Sequence, residues 1–161
     1  MDPRYPTFTH FIPHSGTSVS TFVGEYEHQM DEKGRVSLPS AFRREADAFV
    51  LVHLPWEGPY LTLLPEGKWA EVQERLLEYR KQGREAWNQV RFIVSRAVEL
   101  SPDKQGRILI PASLQSVAGL ADSVLLNGNL DRVELWNPDT FKGSAPDGDG
   151  GQEDVWYRVW G

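Results

Sequence analysis

Two stretches of this chain place a carboxylate, a glycine and an arginine at one spacing: Asp31-Glu32-Lys33-Gly34-Arg35 and Asp103-Lys104-Gln105-Gly106-Arg107. The second copy starts 72 positions after the first, and each runs on through two apolar positions to a proline, Pro39 or Pro111. Three chemistries fit such a pattern. Asp31 and Asp103 could form an acid–base pair, but the arginine four residues on lowers a carboxylate pKa and makes a poor proton donor. Each Asp could instead pair with its own Arg across a tight turn, with Gly34 and Gly106 supplying the backbone freedom. Or the turns could display Lys33, Arg35, Lys104 and Arg107 to a ligand. A guanidinium fork donates two parallel hydrogen bonds to a guanine edge or a phosphate. Two like turns on one face would then match the screw repeat of a duplex. Gln105 stands where the first copy has Lys33, which makes the first copy the stronger reader and the second mainly its scaffold.

Other chemistries find little support. His10, His14, His28 and His53 have no metal-site spacing, and the absence of Cys removes disulfides and thiolate ligands. No glycine-rich phosphate loop precedes a helix and no nucleophile elbow is present. No catalytic residue, metal or cofactor is therefore expected. A net charge of −6 argues against indiscriminate binding to nucleic acid. Distribution matters more: residues 31–44 carry Lys33, Arg35, Arg43 and Arg44 against Asp31 and Glu32, so Arg43 joins the candidate contacts as a weaker member. The end of the chain, with Asp147, Asp149, Glu153 and Asp154 against Arg158, is acidic. No apolar run approaches the ~20 residues of a membrane span, and no secretory signal is evident, in keeping with a reducing cytoplasm.

The elements that would position the turns also repeat. Phe22–His28 and Ala97–Leu100 read as strands entering the turns, and Arg35–Leu38 and Ile108–Ile110 as strands leaving them. Pro39 and Pro111 suit the start of short helices, the first over Ser40–Ala48 with Phe42 and Ala46 on one face. Apolar pairs follow in each copy: 49–52 with 60–64, and 124–126 with 133–136 around an NGNLD loop. Pro65 opens an amphipathic helix bearing Trp69, Val72, Leu76 and Tyr79, and Asn137-Pro138 starts its counterpart. The expected division is an arm (1–21), disordered or partly docked through Phe8, Phe11 or Ile12, a first repeat (22–80), and a connecting helix (81–94) presenting Trp87, Val90 and Val94. A second repeat (95–143) and an acidic linker with an aromatic tail (144–161) follow. The tail is too aromatic to be solvated and is expected to pack either on this chain or on a neighbour. Trp56, Trp136, Trp156 and Trp160 are candidate interface anchors. Neither half alone buries enough surface, so an α+β fold is expected: two halves about a pseudo-twofold axis sharing a mixed β core.

These residues resemble a known family. FVGEYEHQMDEKGRVSLPSAFR, RAVELSPDKQGRILIPASL and AGLADSVLLNGNLDRVELWN are similar to MraZ, a bacterial regulator family of the SpoVT-AbrB superfamily, over about residues 22–142. Its D-x-x-x-R signature occurs twice, at Asp31…Arg35 and Asp103…Arg107. The resemblance implies tandem swapped-hairpin, AbrB-like β-barrel halves with short flanking helices, assembled into a homo-oligomeric ring. It also implies binding to short direct repeats in double-stranded DNA upstream of its own operon, the division and cell-wall cluster, with repression the usual outcome. Arg35 and Arg107 would then lead the DNA contacts, with Lys33 and Lys104 on phosphates, in a cytoplasmic, nucleoid-associated protein with no small-molecule ligand. Two rivals follow from the same residues: a structural or protein-interaction ring, and an antitoxin-like, nucleic-acid-binding AbrB relative.

Overall fold

The computed structural model describes residues 20–144 and 151–161. In the first copy, β1 (Glu25–Gln29) and β2 (Arg35–Ser37) flank the polar turn, and α1 (Ser40–Arg43) follows Pro39. β3 (Phe49–His53) and β4 (Leu61–Pro65) make a hairpin that feeds α2 (Glu66–Tyr79). A 3-10 turn over Arg80–Gln82 and Gly83 lead to α3 (Arg84–Val94). The order then repeats: β5 (Val98–Leu100), β6 (Arg107–Leu109), α4 (Ala112–Val117), the hairpin β7 (Ser123–Gly128) and β8 (Val133–Trp136), and α5 (Pro138–Gly143). Last comes α6 (Gln152–Trp160).

The two copies are interleaved rather than placed side by side. One sheet runs β1-β7-β8-β4-β3-β5 and a separate ribbon is β2-β6. Exchanging β1 with β5, β3 with β7 and β4 with β8 reads the sheet order backwards, which is the signature of an internal twofold. The axis crosses the sheet at Thr62↔Glu134 and the ribbon at Val36↔Ile108, partners that are each 72 positions apart. A twofold normal to a strand pair reverses strand direction, so β4–β8 and β2–β6, which straddle the axis, are antiparallel; the other pairings of the described residues are antiparallel as well, so the core is not mixed. The 72-residue offset is not kept everywhere. His28↔Val124 corresponds to Leu100↔Phe49, and Phe49 and Val124 are 75 apart. The second copy gains three residues between its turn and its hairpin, where α4 is longer than α1, and loses three from the hairpin loop.

Period-two alternation assigns each strand two faces. Leu51, Leu61, Leu63, Val124, Leu126, Val133 and Leu135 face inward. There they meet Val36 and Ile108 of the ribbon and Phe42 and Leu114 of the short helices. On the other face Val50, Val52 and Leu64 lie under Trp69 of α2 and Ile93 of α3. Leu125, Trp136 and Tyr60 lie there too, beside Phe141 of α5, with Tyr60 stacked on Trp136 at 4.5 Å. Buried Glu134, at the axis, accepts from Asn127 and Asn129 and from the Trp136 indole at 3.1 Å. Burial, with the Glu134 and Glu57 carboxylates, pushes the Tyr60 hydroxyl pKa up.

Three elements differ from the sequence expectation. α1 has four residues instead of reaching Ala48, because Phe42 is its single buried anchor, wedged against Phe22 and Tyr26, and the chain must turn at once to enter β3. α3 turns Ala86, Val90 and the half-buried Ile93 inward, leaving Trp87 and Val94 exposed. Trp87 packs instead under the Arg80 guanidinium, 4.0 Å from its ring centroid. The aromatic tail forms a helix whose large side chains are solvent-exposed rather than packed on this chain. Of the proposed anchors, Trp136 is core, whereas Trp56, Trp156 and Trp160 are exposed. Phe8, Phe11 and Ile12 lie outside the described residues, whereas Phe22 is fully buried and bridges to Leu130. Among the described residues, no helix is long and apolar enough to cross a membrane.

Leu135 is fully buried in the strand at the axis and touches both copies' core, so Leu135→Ala tests their interdependence. It is expected to cost about 2–5 kcal/mol in a single urea transition, with no separately melting half. Two resolved transitions would contradict a shared core.

Candidate nucleic-acid interface

The two polar turns are built bond for bond alike. The Asp31 carbonyl accepts from Gly34 N–H at 3.0 Å, and the Arg35 carbonyl accepts from Asp31 N–H at 2.9 Å. One Asp31 carboxylate oxygen takes the backbone N–H groups of Lys33 (3.0 Å) and Arg35 (2.8 Å); the other takes Arg35 Nε at 2.7 Å. Asp103 does the same with Gln105 and Arg107, its second oxygen meeting Arg107 Nε at 3.0 Å. The carboxylate thus replaces a stretch of backbone as acceptor, the role Asp takes in turns. In both copies the Arg backbone N–H, ahead of the Arg side chain, holds the Asp carboxyl below its usual pKa. The arginine matters first through its main chain, which charge spacing alone does not reveal.

Positive φ at Gly34 (+85°) and Gly106 (+78°) lets each turn close. Each glycine then serves the opposite copy: the Gly34 carbonyl accepts from Ile110 N–H and the Gly106 carbonyl from Leu38 N–H, both at 2.9 Å. Arg43 packs directly over Gly106, and Gln115, its counterpart 72 residues on, packs over Gly34 and donates to the Ile110 carbonyl at 2.7 Å. Gln115 had no chemical signal of its own. It could be found only by aligning it with Arg43 across the repeat. Arg43 lies across a turn here and is half-buried, a packing role beside its charge.

The ribbon pairs Arg35 with Leu109 and Ser37 with Arg107. Since Val36 and Ile108 point into the core, these four share the outward face. The structure therefore brings Arg35 and Arg107 into one patch, with Arg107 Nη1 also 3.9 Å from the Asp31 carboxylate. The turns sit at opposite ends of a ribbon three residue pairs long, about 10 Å at ~3.3 Å per residue. That is short of the ~34 Å of one duplex turn, so a single chain does not carry two sites at the DNA repeat. Lys33 and Lys104 are exposed at the tips of their turns. Leu109 is 55% exposed, an apolar member of this face. Among the described residues, no group of three or more His, Asp or Glu is placed to hold a metal.

With this geometry in hand, comparison with known proteins is decisive. The sequence pattern of the MraZ protein family, described as antitoxin-like, matches residues 21–88 and 93–145. The chain belongs to the MraZ family. It is 41% identical to the transcriptional regulator MraZ of Pediococcus pentosaceus over 118 residues, 72% of this chain and 80% of that one. Those of Leuconostoc citreum and Halothermothrix orenii are 34% and 35% identical, over 75% and 83% of this chain and 84% and 93% of theirs. MraZ relatives are thus named for control of transcription and not for a reaction. The match covers both turns and all eight strands of the described residues and ends before α6.

Two measurements probe the turns. A methyl on Gly34 would meet the Ile110 carbonyl oxygen at 2.9 Å as well as Gln115, whereas the nearest atoms to one on Gly106 all belong to the flexible Arg43 side chain. Both Gly→Ala changes should cost about 1–3 kcal/mol for the positive φ, with Gly34→Ala the worse and only Gly106→Ala eased by Arg43→Ala. Because folding depresses both Asp pKa values, the stability they add is present above the ordinary Asp value of about 3.9 and disappears as pH falls through the lower folded values. Carboxyl NMR titration should place both midpoints below those of the unfolded chain; midpoints at or above would remove the turn bonds as a source of acid sensitivity.

Proposed function

We propose that this chain regulates transcription by binding double-stranded DNA through the outward face of the β2–β6 ribbon, with Arg35 and Arg107 as leading contacts. One observation carries it: two half-buried arginines, each with Nε fastened to a carboxylate, share one outward face. Neither guanidinium makes a further hydrogen bond to the described chain through its terminal nitrogens. An arginine held this way has lost part of its side-chain freedom before binding, which lowers the cost of ordering a fork against a base edge or phosphate. A two-stranded ribbon fits a major groove. Exposed Lys33 and Lys104 at the tips suit phosphates, and Lys33 beside Arg35 gives the first copy more charge. The second copy then acts mainly as its scaffold.

The interleaved strands support an AbrB-like, swapped-hairpin architecture for the two halves. One patch per chain, on a protein of net charge −6, favours several chains acting together, since linked weak sites gain affinity without added charge. The protein is accordingly a ring-shaped homo-oligomer on direct repeats upstream of its own operon, an autorepressor at the nucleoid in the cytoplasm.

Gel shift on the protein's own upstream region tests this. Arg35→Ala should lose about 1–3 kcal/mol per bound chain, compounded across repeats, with fold and oligomer intact. Unchanged affinity would rule out the ribbon as the reader, and no shift by the intact oligomer would favour a protein-interaction ring. Lys33→Ala should flatten the slope of log affinity against log salt by about 0.9 for each phosphate that Lys33 neutralises. Competition by RNA in place of duplex DNA would favour an antitoxin-like relative.

A further inference from the structure

The helix α6 carries an apolar face that no other described element covers. At 100° per residue, Val155, Trp156, Val159 and Trp160 fall within one arc. They are 59%, 63%, 71% and 72% exposed, and the two indoles lie 5.3 Å apart. The opposite side is furnished for water: Arg158 pairs with Asp154 at 2.9 Å. Helices sorted in this way normally bury the apolar side. The family pattern ends at residue 145, before this helix.

A second exposed stripe lies on α3. Arg84, Trp87, Arg91 and Val94 recur at spacings of three and four along its outer side, with Trp87 and Val94 46% and 40% exposed. Arg80 from the preceding turn lies over Trp87. This stripe is basic and aromatic. The α6 segment is acidic and aromatic: Glu153 borders its apolar arc, and Asp147 and Asp149 precede it in sequence. We infer that α6 of one chain docks along the α3 stripe of a second copy of the same chain. Charge complementarity selects this partner. The acid-flanked helix is repelled by DNA and by anionic membrane surfaces, whereas α3 offers cations beside an indole. Donor and acceptor lie on different parts of one chain, so the contact is head-to-tail and propagates from copy to copy, closing a ring where the rotation allows. Nine residues of helix cannot supply the ~800 Å² per partner of a stable interface, so the contact adds to an assembly rather than creating it.

The inference deepens the self-association proposed above and is independent of the DNA contact, which the Arg35→Ala gel shift reads separately. The chain has no cysteine, which makes a thiol test clean. Full-length Val94→Cys carrying a tag is mixed with untagged full-length Val159→Cys under mild oxidation. The expected product is a mixed disulfide of intermediate mass, abolished when Trp156→Ala and Trp160→Ala are added to the untagged chain. Light scattering should show the same double substitution, without cysteines, lowering the mass or raising the concentration needed for assembly. No mixed disulfide, or one indifferent to the tryptophans, overturns the inference. So does a Val94→Cys/Val159→Cys chain that links only within itself.

Discussion

The structure depends on one exchange: each glycine turn is closed by its own aspartate but seated by the other copy. Gly34 offers its carbonyl to Ile110 and lies beneath Gln115; Gly106 offers its carbonyl to Leu38 and lies beneath Arg43. A side chain on either glycine would collide with the opposite copy, and an ordinary φ would open the turn. The ribbon cannot form within a single copy. Once it forms, Val36 and Ile108 are forced inward at the axis, and the arginines on either side are forced out together. Position and exposure of the candidate contacts therefore follow from a packing constraint.

The same logic extends through the sheet. Edge strand β1 belongs to the first copy yet pairs with β7 of the second, and β5 pairs with β3. Each hairpin is local, but every junction between hairpins joins the two copies. Loop closure over such long separations is costly in entropy. It is offset because the exchange completes one core in which almost every inward residue is fully buried. Symmetry is not complete. The three-residue shift between α4 and β7 is absorbed by a shorter hairpin loop, so the strands stay in register while the two short helices differ in length. The outward ribbon face is likewise unequal, with Ser37 in one copy where the other has Leu109. A homodimer of identical halves could not carry that difference; a tandem chain can.

Charge enters locally rather than as a total. The carboxylates nearest the candidate contacts are not competitors for DNA in a simple sense, because each is engaged by backbone and Nε donors within its own turn. Apart from exposed Glu32 in the first turn, what remains displayed at the ribbon is cationic, whereas much of the acid lies elsewhere, including the segment before and within α6. A protein of pI 5.2 can thus carry a locally basic edge, and its acidic segment is better suited to a protein partner than to a phosphate backbone.

The repeat, the order of elements, the prolines that start the short helices and the aspartate-closed turns were legible in the chain itself. They rest on local rules: turn chemistry, period-two and period-3.6 patterning, and an identical spacing used twice. The family also followed from those residues. Tertiary structure decided what local rules cannot reach. It chose which strands pair between copies, turned α3 so that Ala86 rather than Trp87 meets the sheet, cut α1 to one turn, and gathered Arg35 and Arg107 into a single patch. It also paired Arg43 and Gln115 with glycines 63 and 81 residues away in the chain. The physical reason is common to all of these. Burial and close approach are settled by partners distant in sequence, and a residue's own type and neighbours do not name those partners.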